Sequence, residues 1–167
     1  MVTRRSSRTR ERTRATIRTM RPDDLEMVVG LDARVFGKAR PAYFERRLAS
    51  FRAHDSNGHT LGLVAEDDGV VVGFVLGTLT SGEFGFEGVT VLMDSIAVAP
   101  NRQRRGIGHQ LTRALIAESA ALGARDMYTL VNWKAWDMLA FFDAAHFGLA
   151  QTVLLHQHIG ATAEEKS

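Results

Sequence analysis

The stretch from Val89 to Gly123 carries the residues best suited, by type and spacing, to hold a charged ligand. Its first part is a β-rich run that Pro100 ends, and its last part has the apolar spacing of a helix. Between them lie three arginines, Arg102, Arg104 and Arg105, followed by Gly106-Ile-Gly108. A helix N-terminus attracts phosphate through its unpaired N–H groups and dipole, and glycines let the backbone approach the ligand closely. The stretch therefore predicts a phosphate-bearing ligand at a strand–loop–helix junction.

Two common nucleotide-binding motifs do not fit this stretch. A dinucleotide-binding fingerprint needs a third glycine at the position of Leu111, and a P-loop needs a Gly-Lys-Ser/Thr sequence that is missing here. The two glycines therefore belong to another kind of phosphate-binding loop.

The segment Gln103-Arg-Arg-Gly106-Ile-Gly108, which follows Val98-Ala-Pro100, resembles the signature of the GCN5-related N-acetyltransferases, the GNAT family. In that family the loop wraps the pyrophosphate of acetyl-coenzyme A (acetyl-CoA), and the preceding strand forms hydrogen bonds with the pantetheine arm. The resemblance implies acetyl-CoA as co-substrate and an amine as acceptor. The cofactor-binding residues that it implies are Ile96, Ala97, Val98, Gln103, Arg104, Arg105, Gly106, Ile107, Gly108 and His109.

Acetyl transfer to an amine needs a route for a proton, because an alkylammonium must lose one before it can attack a thioester. Asp94 lies just before Ser95 on the predicted central strand, where family members often carry a general-base glutamate, and it is our first candidate. Glu87, in the preceding loop, is the second candidate. A surface or hairpin position is an equal alternative for Asp94 and the preferred one for Glu87.

A further acidic residue, Asp32, interrupts the apolar stripe of the first predicted helix. It can cap a neighbouring turn at the edge of the core, or it can face a substrate cleft. We favour the first interpretation, because a buried acid more often satisfies a structural partner than a substrate.

The chain departs from the family at several positions, two of which lie in the family's closing motif near the C-terminal end. Phe142 occupies the place of a tyrosine that can protonate the departing thiolate, and phenylalanine has no exchangeable proton. The segment Phe141-Phe142-Asp-Ala-Ala-His-Phe147 resembles the family's closing motif, aromatic-Tyr-x-x-x-Gly-Phe, and His146 stands at the glycine of that motif. The general acid is therefore left open. Because the chain has no cysteine, an acyl-cysteine intermediate is excluded, and direct transfer in a ternary complex is the simpler scheme.

The order of predicted elements is strand, two helices, a β meander, helix, strand, helix and strand. It predicts one α/β (α+β) GNAT-like domain over residues 15–160, with a mixed central β-sheet flanked by helices on both faces. Asp67-Asp68-Gly69 predicts a hairpin turn, and a last strand is predicted from Thr152 to Ile159. Residues 161–167 are predicted to form a frayed tail.

Composition favours a globular protein in a reducing compartment, and we expect it to be cytoplasmic. The 167 residues are 45% hydrophobic, which suffices for one core, and no apolar run is long enough to span a membrane. We expect no bound metal, because His156 and His158 share a predicted strand face without a third ligand.

The first fourteen residues have a different composition from the rest. They contain arginine repeatedly, Glu11 as their only acid and almost no apolar side chain, so they cannot form a core of their own. Such a tail can bind nucleic acid or another polyanion, act as a transit peptide, or remain a solvated extension.

Together these features support an acetyl-CoA-dependent N-acetyltransferase that acts on a primary amine of a small molecule, peptide or protein. Two alternatives stay open: a catalytically degenerate CoA-binding module, indicated by Phe142, and a polyanion binder that uses the Arg-rich tail. Nucleic acid is expected as a partner only in the last case. The identity of the acceptor and the formation of a homodimer are left open.

Overall fold

The computed structural model describes residues 15–52, 60–82 and 87–157, with side-chain environments for all of these except residues 50–52. The predicted tails, 1–14 and 161–167, lie outside the described residues. The strands are β1 Thr16–Thr19, β2 Thr60–Asp67, β3 Val70–Ser81, β4 Val89–Val98 and β5 Ala124–Thr129. The helices are α1 Leu25–Phe36, α2 Pro41–Arg52, α3 Ile107–Ala121 and α4 Trp136–Ala144. Two compact units are distinguished, and the boundary between them follows Leu130.

The first unit contains a five-stranded sheet in the order β1-β2-β3-β4-β5. The pairs β1–β2, β2–β3 and β3–β4 are antiparallel, whereas β4 and β5 are parallel and connected through α3. The β2–β3 turn has positive φ angles at Asp68 and Gly69, which matches the backbone twist of a tight hairpin. The predicted mixed sheet with a parallel crossover is therefore confirmed.

Helices cover both faces of this sheet. Strand β3 contacts helices on both sides, because its alternate side chains point to opposite faces. On one face, Phe74 packs edge-on against Phe44 of α2, with 5.4 Å between the ring centroids. On the other face lies Gly73, where a Cβ atom would come within 3.1 Å of a methyl group of Leu111 in α3. A glycine at this position therefore allows α3 to pack closely on the sheet.

Local signals account for the ends of α1. Pro22–Asp24 forms a single 3₁₀ turn before the helix, and the carboxylate of Asp24 accepts hydrogen bonds from the Arg21 N–H and from Arg18. At the other end, Gly37 adopts φ 75° and caps the helix in the left-handed conformation that glycine tolerates best.

The second unit corrects one prediction. Within residues 152–157 the structure has no strand, and residues 158–159 lie outside the described residues. Val153, Leu154 and Leu155 are 74–88% exposed, so the β-forming composition of this segment is not matched by packing against a neighbouring strand. β-Propensity expresses how well a residue fits a paired, half-buried surface, and it does not create the partner strand.

We expect His146→Gly to raise the free energy of unfolding by about 0.5–1 kcal/mol. His146 has φ 65° at the end of α4, where the Phe147 N–H bonds to the Phe142 carbonyl and the His146 N–H to the Asp143 carbonyl. This is a Schellman cap, in which glycine adopts the required conformation without a Cβ clash. Chemical denaturation measures the change.

The matched control for this prediction is His146→Ala. Alanine removes the same imidazole but keeps a Cβ atom in the left-handed conformation, so it is not expected to stabilise the protein. Equal stabilisation by alanine and glycine would show that the imidazole, and not the left-handed backbone conformation, destabilises the parent protein.

Candidate active site

The loop between β4 and α3 has the backbone geometry of an anion-binding site. Arg104 has φ 61° and Gly106 has φ 85°, so the chain turns twice through the left-handed region within three residues. Such turns direct successive N–H groups into one concavity that attracts anions. The loop is attached to the strand, because the Gln103 Nε2 donates to the Val98 carbonyl at 3.0 Å. Arg104 and Arg105 are exposed beside it.

The start of α3 supplies further donors. Gly106 is the N-cap residue, no side chain caps this end, and the first turn contains no acidic residue. The backbone N–H groups of Ile107, Gly108 and His109 therefore have no acceptor within the helix. The Ile107 side chain is fully buried, so only its backbone can serve a ligand. These features are those of a phosphate site.

Beyond its midpoint, β4 has a strand neighbour on one side only. It pairs with β3 up to Val98, but its ladder with β5 ends at Met93. On the β5 side, no described strand pairs with the segment from Asp94 to Val98. Ile96 and Val98 are half-buried and Ala97 is buried, so the backbone of this segment is the part suited to hydrogen-bond an extended ligand.

The ladder between β3 and β4 contains one irregularity, and it falls at Asp94. Leu76 pairs with Ser95 and Gly77 pairs with Met93, which leaves Asp94 opposite no residue of β3. Asp94 is therefore the extra residue of a β-bulge. A bulge changes the direction of its side chain, and this one brings the Asp94 carboxylate to the face of the sheet that α2 covers.

The carboxylate of Asp94 is nearly buried, with 10% of its side chain exposed, and it is held by two residues. Its Oδ2 lies 2.7 Å from Arg47 Nη2 and accepts a hydrogen bond from the Thr78 hydroxyl at 3.1 Å. Arg47 Nη1 in turn donates to Thr78 Oγ1 at 2.7 Å. Burial raises the pKa of Asp94, while Arg47 and the Thr78 hydrogen bond act in the opposite direction.

Tyr43 lies beside this cluster. The Arg47 guanidinium is 5.4 Å from the centre of its ring. Burial is the main reason that the pKa of the Tyr43 hydroxyl is raised, and the charge of Asp94 adds to it. Arg47 lowers the pKa, although the two groups do not form a well-aligned hydrogen bond. The phenol is therefore protonated at neutral pH.

A second acid–arginine pair lies next to the first. Arg40 donates to both carboxylate oxygens of Asp32, whose side chain is completely buried, and also to the Ser95 hydroxyl at 3.2 Å. The guanidinium stacks 4.8 Å from the Tyr43 ring centre. Asp32 thus has a structural partner, as we favoured, but that partner is an arginine and not a helix or turn N-terminus.

The structure separates the two predicted base candidates. Glu87 is exposed at the residue before Gly88, ahead of the first residue of β4. A ten-residue strand spans about 30 Å, so Glu87 and the glycine loop lie at opposite ends of β4. Asp94 lies between them.

The second unit contains the position where the family resemblance implies a tyrosine. Phe142 is buried within α4 and packs edge-on against Phe141 and Phe147, at 5.0 and 5.1 Å between ring centroids. Both ring contacts are apolar, and phenylalanine has no exchangeable proton to donate.

Sequence reasoning missed the residues that hold Asp94 and Asp32. Tyr43 and Arg47 lie on α2, beside the buried Phe44 and Leu48, and Arg40 directly precedes this helix at the same helical spacing. This spacing was a signal that they share one side of the helix.

Among the described residues no group of three or more potential metal ligands occurs, and no helix is long and apolar enough to cross a membrane.

We expect Gly106→Val to weaken CoA binding about tenfold or more. Among the described residues, a Cβ atom at Gly106 would come within 4 Å of Gln110 Nε2 alone, at 3.9 Å, so the added side chain would occupy the ligand's space. The φ of 85° also disfavours valine, by about 1–2 kcal/mol. Calorimetric titration with CoA measures the effect.

Gly123→Val provides the control for backbone strain in this experiment. Gly123 has φ 87°, and no atom of the described residues lies within 4 Å of the position that a Cβ would take, but it follows the opposite end of α3. It should lose similar stability and keep its CoA affinity. Equal affinity losses in the two variants would assign the effect to strain and not to the phosphate site.

Comparison with known proteins agrees with this geometry. The sheet, the open strand edge and the glycine loop define an acetyltransferase-type domain. The model of the acetyltransferase (GNAT) family matches residues 25–141, and the chain belongs to this family. No curated protein matches the chain.

Solved structures share the fold. The aminoglycoside N-acetyltransferase AAC(6′)-Iy, bound to a bisubstrate analogue, superposes with a TM-score of 0.73 at 22% identity, covering 87% of this chain and 98% of that one. The aminoglycoside 6′-N-acetyltransferase AAC(6′)-IG of Acinetobacter haemolyticus gives 0.71 at 13% identity, covering 87% and 99%. A transcriptional regulator of Bacillus halodurans gives 0.71 at 22% identity, also covering 87% and 99%.

Proposed function

We propose that this protein transfers the acetyl group of acetyl-CoA to a primary amine, directly and within a ternary complex. The observation that carries the proposal is the combination of an open β4 edge with an uncapped, glycine-rich helix start at the end of the same strand. The first suits the amides of a pantetheine arm, and the second suits a pyrophosphate. Acetyl-CoA, when bound, supplies the activated acyl group.

The cofactor-binding residues have separate roles in this proposal. Gln103, Gly106, Ile107, Gly108 and His109 form or support the concavity of N–H donors at the helix start. Arg104 and Arg105 add positive charge at the rim of this concavity. Salt screens their contribution to cofactor binding, because both are exposed. The remaining three, Ile96, Ala97 and Val98, offer their backbone to the pantetheine arm.

Asp94 is the proposed base. The acceptor nitrogen forms a bond to the thioester carbon, the carbon–sulfur bond breaks, and the amine proton passes to the Asp94 carboxylate directly or through water. A backbone N–H near Val98 donates to the carbonyl oxygen as negative charge develops on it. A thiol has an ordinary pKa near 8.5, so the sulfur can leave as a thiolate and take a proton from solvent without help from a residue at position 142.

Several classes of amine are acceptors to test. The AAC(6′) enzymes are aminoglycoside acetyltransferases, which makes an aminoglycoside one acceptor to test. Small amines, peptides with free N-termini and lysine-containing peptides are the others, and the described residues favour none of them.

A mass-spectrometric screen tests the proposal. The protein is incubated with acetyl-CoA and each class of amine, and acetylated product and free CoA are measured together. Time-dependent acetylation that Gly106→Val diminishes supports the proposal. CoA binding without acetylation of any amine would instead support a non-catalytic CoA-binding module, the alternative that Phe142 indicates.

A further inference from the structure

Asp94 is held by an unusual partner for a general base. A base must take up a proton, but Arg47 lies 2.7 Å from Oδ2 of Asp94 and stabilises its charged form. A carboxylate so nearly buried cannot stay ionised without such a cation or several hydrogen bonds. The arginine therefore has a function in the site that goes beyond attaching α2 to the sheet.

The contacts are distributed asymmetrically over the carboxylate. The shortest Arg47 contact, at 2.7 Å, and the Thr78 hydrogen bond, at 3.1 Å, both go to Oδ2. Arg47 also bonds to Thr78, so the three side chains form a closed triangle. The triangle fixes the rotation of the carboxylate and gives its two oxygens different surroundings.

We propose that Arg47 is a positioning residue for acetyl transfer, which holds the Asp94 carboxylate ionised through Oδ2 and thereby leaves Oδ1 to accept the proton of the acceptor amine. This inference rests on the proposed function, because it assigns a partner to the proposed base. It adds that the reaction needs an arginine from α2 to work with an acid from the β4 bulge.

The groups around Asp94 allow the effect of Arg47 to be separated from other charges. Arg47 and Tyr43 approach it from α2, and Thr78 approaches from β3. The Asp32–Arg40 ion pair lies on the far side of Ser95, which Arg40 contacts. The opposite charges of this pair compensate each other, so its net effect on Asp94 is small. Tyr43 is protonated over the range where a carboxyl titrates, so Arg47 is the nearest charged group, among the described residues, that can shift the titration of Asp94.

The test is Arg47→Met, which keeps a long, unbranched side chain and removes its charge. Carbon-13 NMR of the side-chain carboxyls follows the titration, and the signal lost in Asp94→Asn identifies Asp94. We expect the pKa of Asp94 to rise by about one unit or more, because an opposite charge at this distance favours the ionised form. Because orientation is also lost, kcat/KM should fall about tenfold or more.

Two variants serve as controls. Arg47→Lys keeps the charge but loses the fork that spans Asp94 and Thr78, so the titration should stay near that of the parent protein while kcat/KM falls. Arg46→Met removes an exposed arginine from the neighbouring position of the same helix. It should change neither quantity.

The outcomes distinguish this inference from the proposed function. An unchanged Asp94 titration in a folded Arg47→Met protein would overturn the inference, as would a shifted titration with unchanged kcat/KM. In both cases the loss of activity in Asp94→Asn would leave the proposed base in place. Full activity of Asp94→Asn would remove Asp94 from the mechanism, and the role of Arg47 with it.

Discussion

Replacing Asp94 by asparagine is expected to lower kcat/KM for the acceptor amine about 100-fold or more while CoA affinity stays nearly unchanged. The amide keeps the shape of the side chain but cannot take up the amine proton. Arg47 loses a charged partner, but it is partly exposed and can turn to water. The glycine loop lies at the end of β4, away from the substitution, so the cofactor site should remain intact.

The pH dependence makes this prediction more specific. Burial raises the pKa of Asp94, and a base works only when it is ionised. Activity of the parent protein should therefore fall on the acid side at a higher pH than for an ordinary aspartate. The residual activity of Asp94→Asn should lack this fall.

Other acids provide the controls for the Asp94 experiment. Asp126→Asn changes an exposed acid on the neighbouring strand β5 and should leave the kinetics as they are. Glu87→Gln tests the second candidate base. Normal kinetics in a folded Asp94→Asn protein, with a large loss in Glu87→Gln, would transfer the role of base to Glu87.

Arg40→Met is expected to destabilise the protein by about 3 kcal/mol. The substitution leaves the Asp32 carboxylate completely buried without its cation, and removal of one partner costs more than the pair contributes. We place the value at the lower end of the usual range because the Arg40 side chain is 37% exposed, which gives water a path to the acid. Denaturant titration measures the loss.

The double variant Asp32→Asn/Arg40→Met shows whether the buried charge is the cause. It should recover a large part of the loss, because it removes the unpaired charge as well as its partner. Arg46→Met, a change of the same type at an exposed position, should stay within about 0.5 kcal/mol of the parent protein. A double variant no more stable than Arg40→Met would indicate that the stacked guanidinium, and not the charge of Asp32, carries the stability.

Local patterns were sufficient to predict most of the fold. Asp68-Gly69 marks its hairpin because the tight turn needs positive φ at both positions, and Gly37 ends α1 for the same steric reason. The segment from Val98 to Gly108 predicted the strand–loop–helix junction because its proline, arginines and glycines act on neighbouring backbone. The order of the predicted elements then predicted a mixed sheet with a parallel crossover, which the structure confirms.

The environment of the proposed base could not be predicted in this way. Asp94 is held by residues from α2 and β3 that are remote in the sequence, and only the fold brings their side chains within 3.1 Å of one carboxylate oxygen. The bulge that directs Asp94 toward α2 is a property of the pairing between two strands, so alternation along one strand does not reveal it.

The sequence by itself determined where a phosphate-bearing ligand can bind and which acids are available for proton transfer, because these depend on residue type and local backbone geometry. Tertiary structure decided which of these groups are near one another. It paired Asp32 with Arg40 and Asp94 with Arg47, left the second half of β4 without a neighbour on the β5 side among the described strands, and gave residues 152–157 no strand. Each of these depends on contacts between distant segments, whose geometry exists only once the sheet has formed.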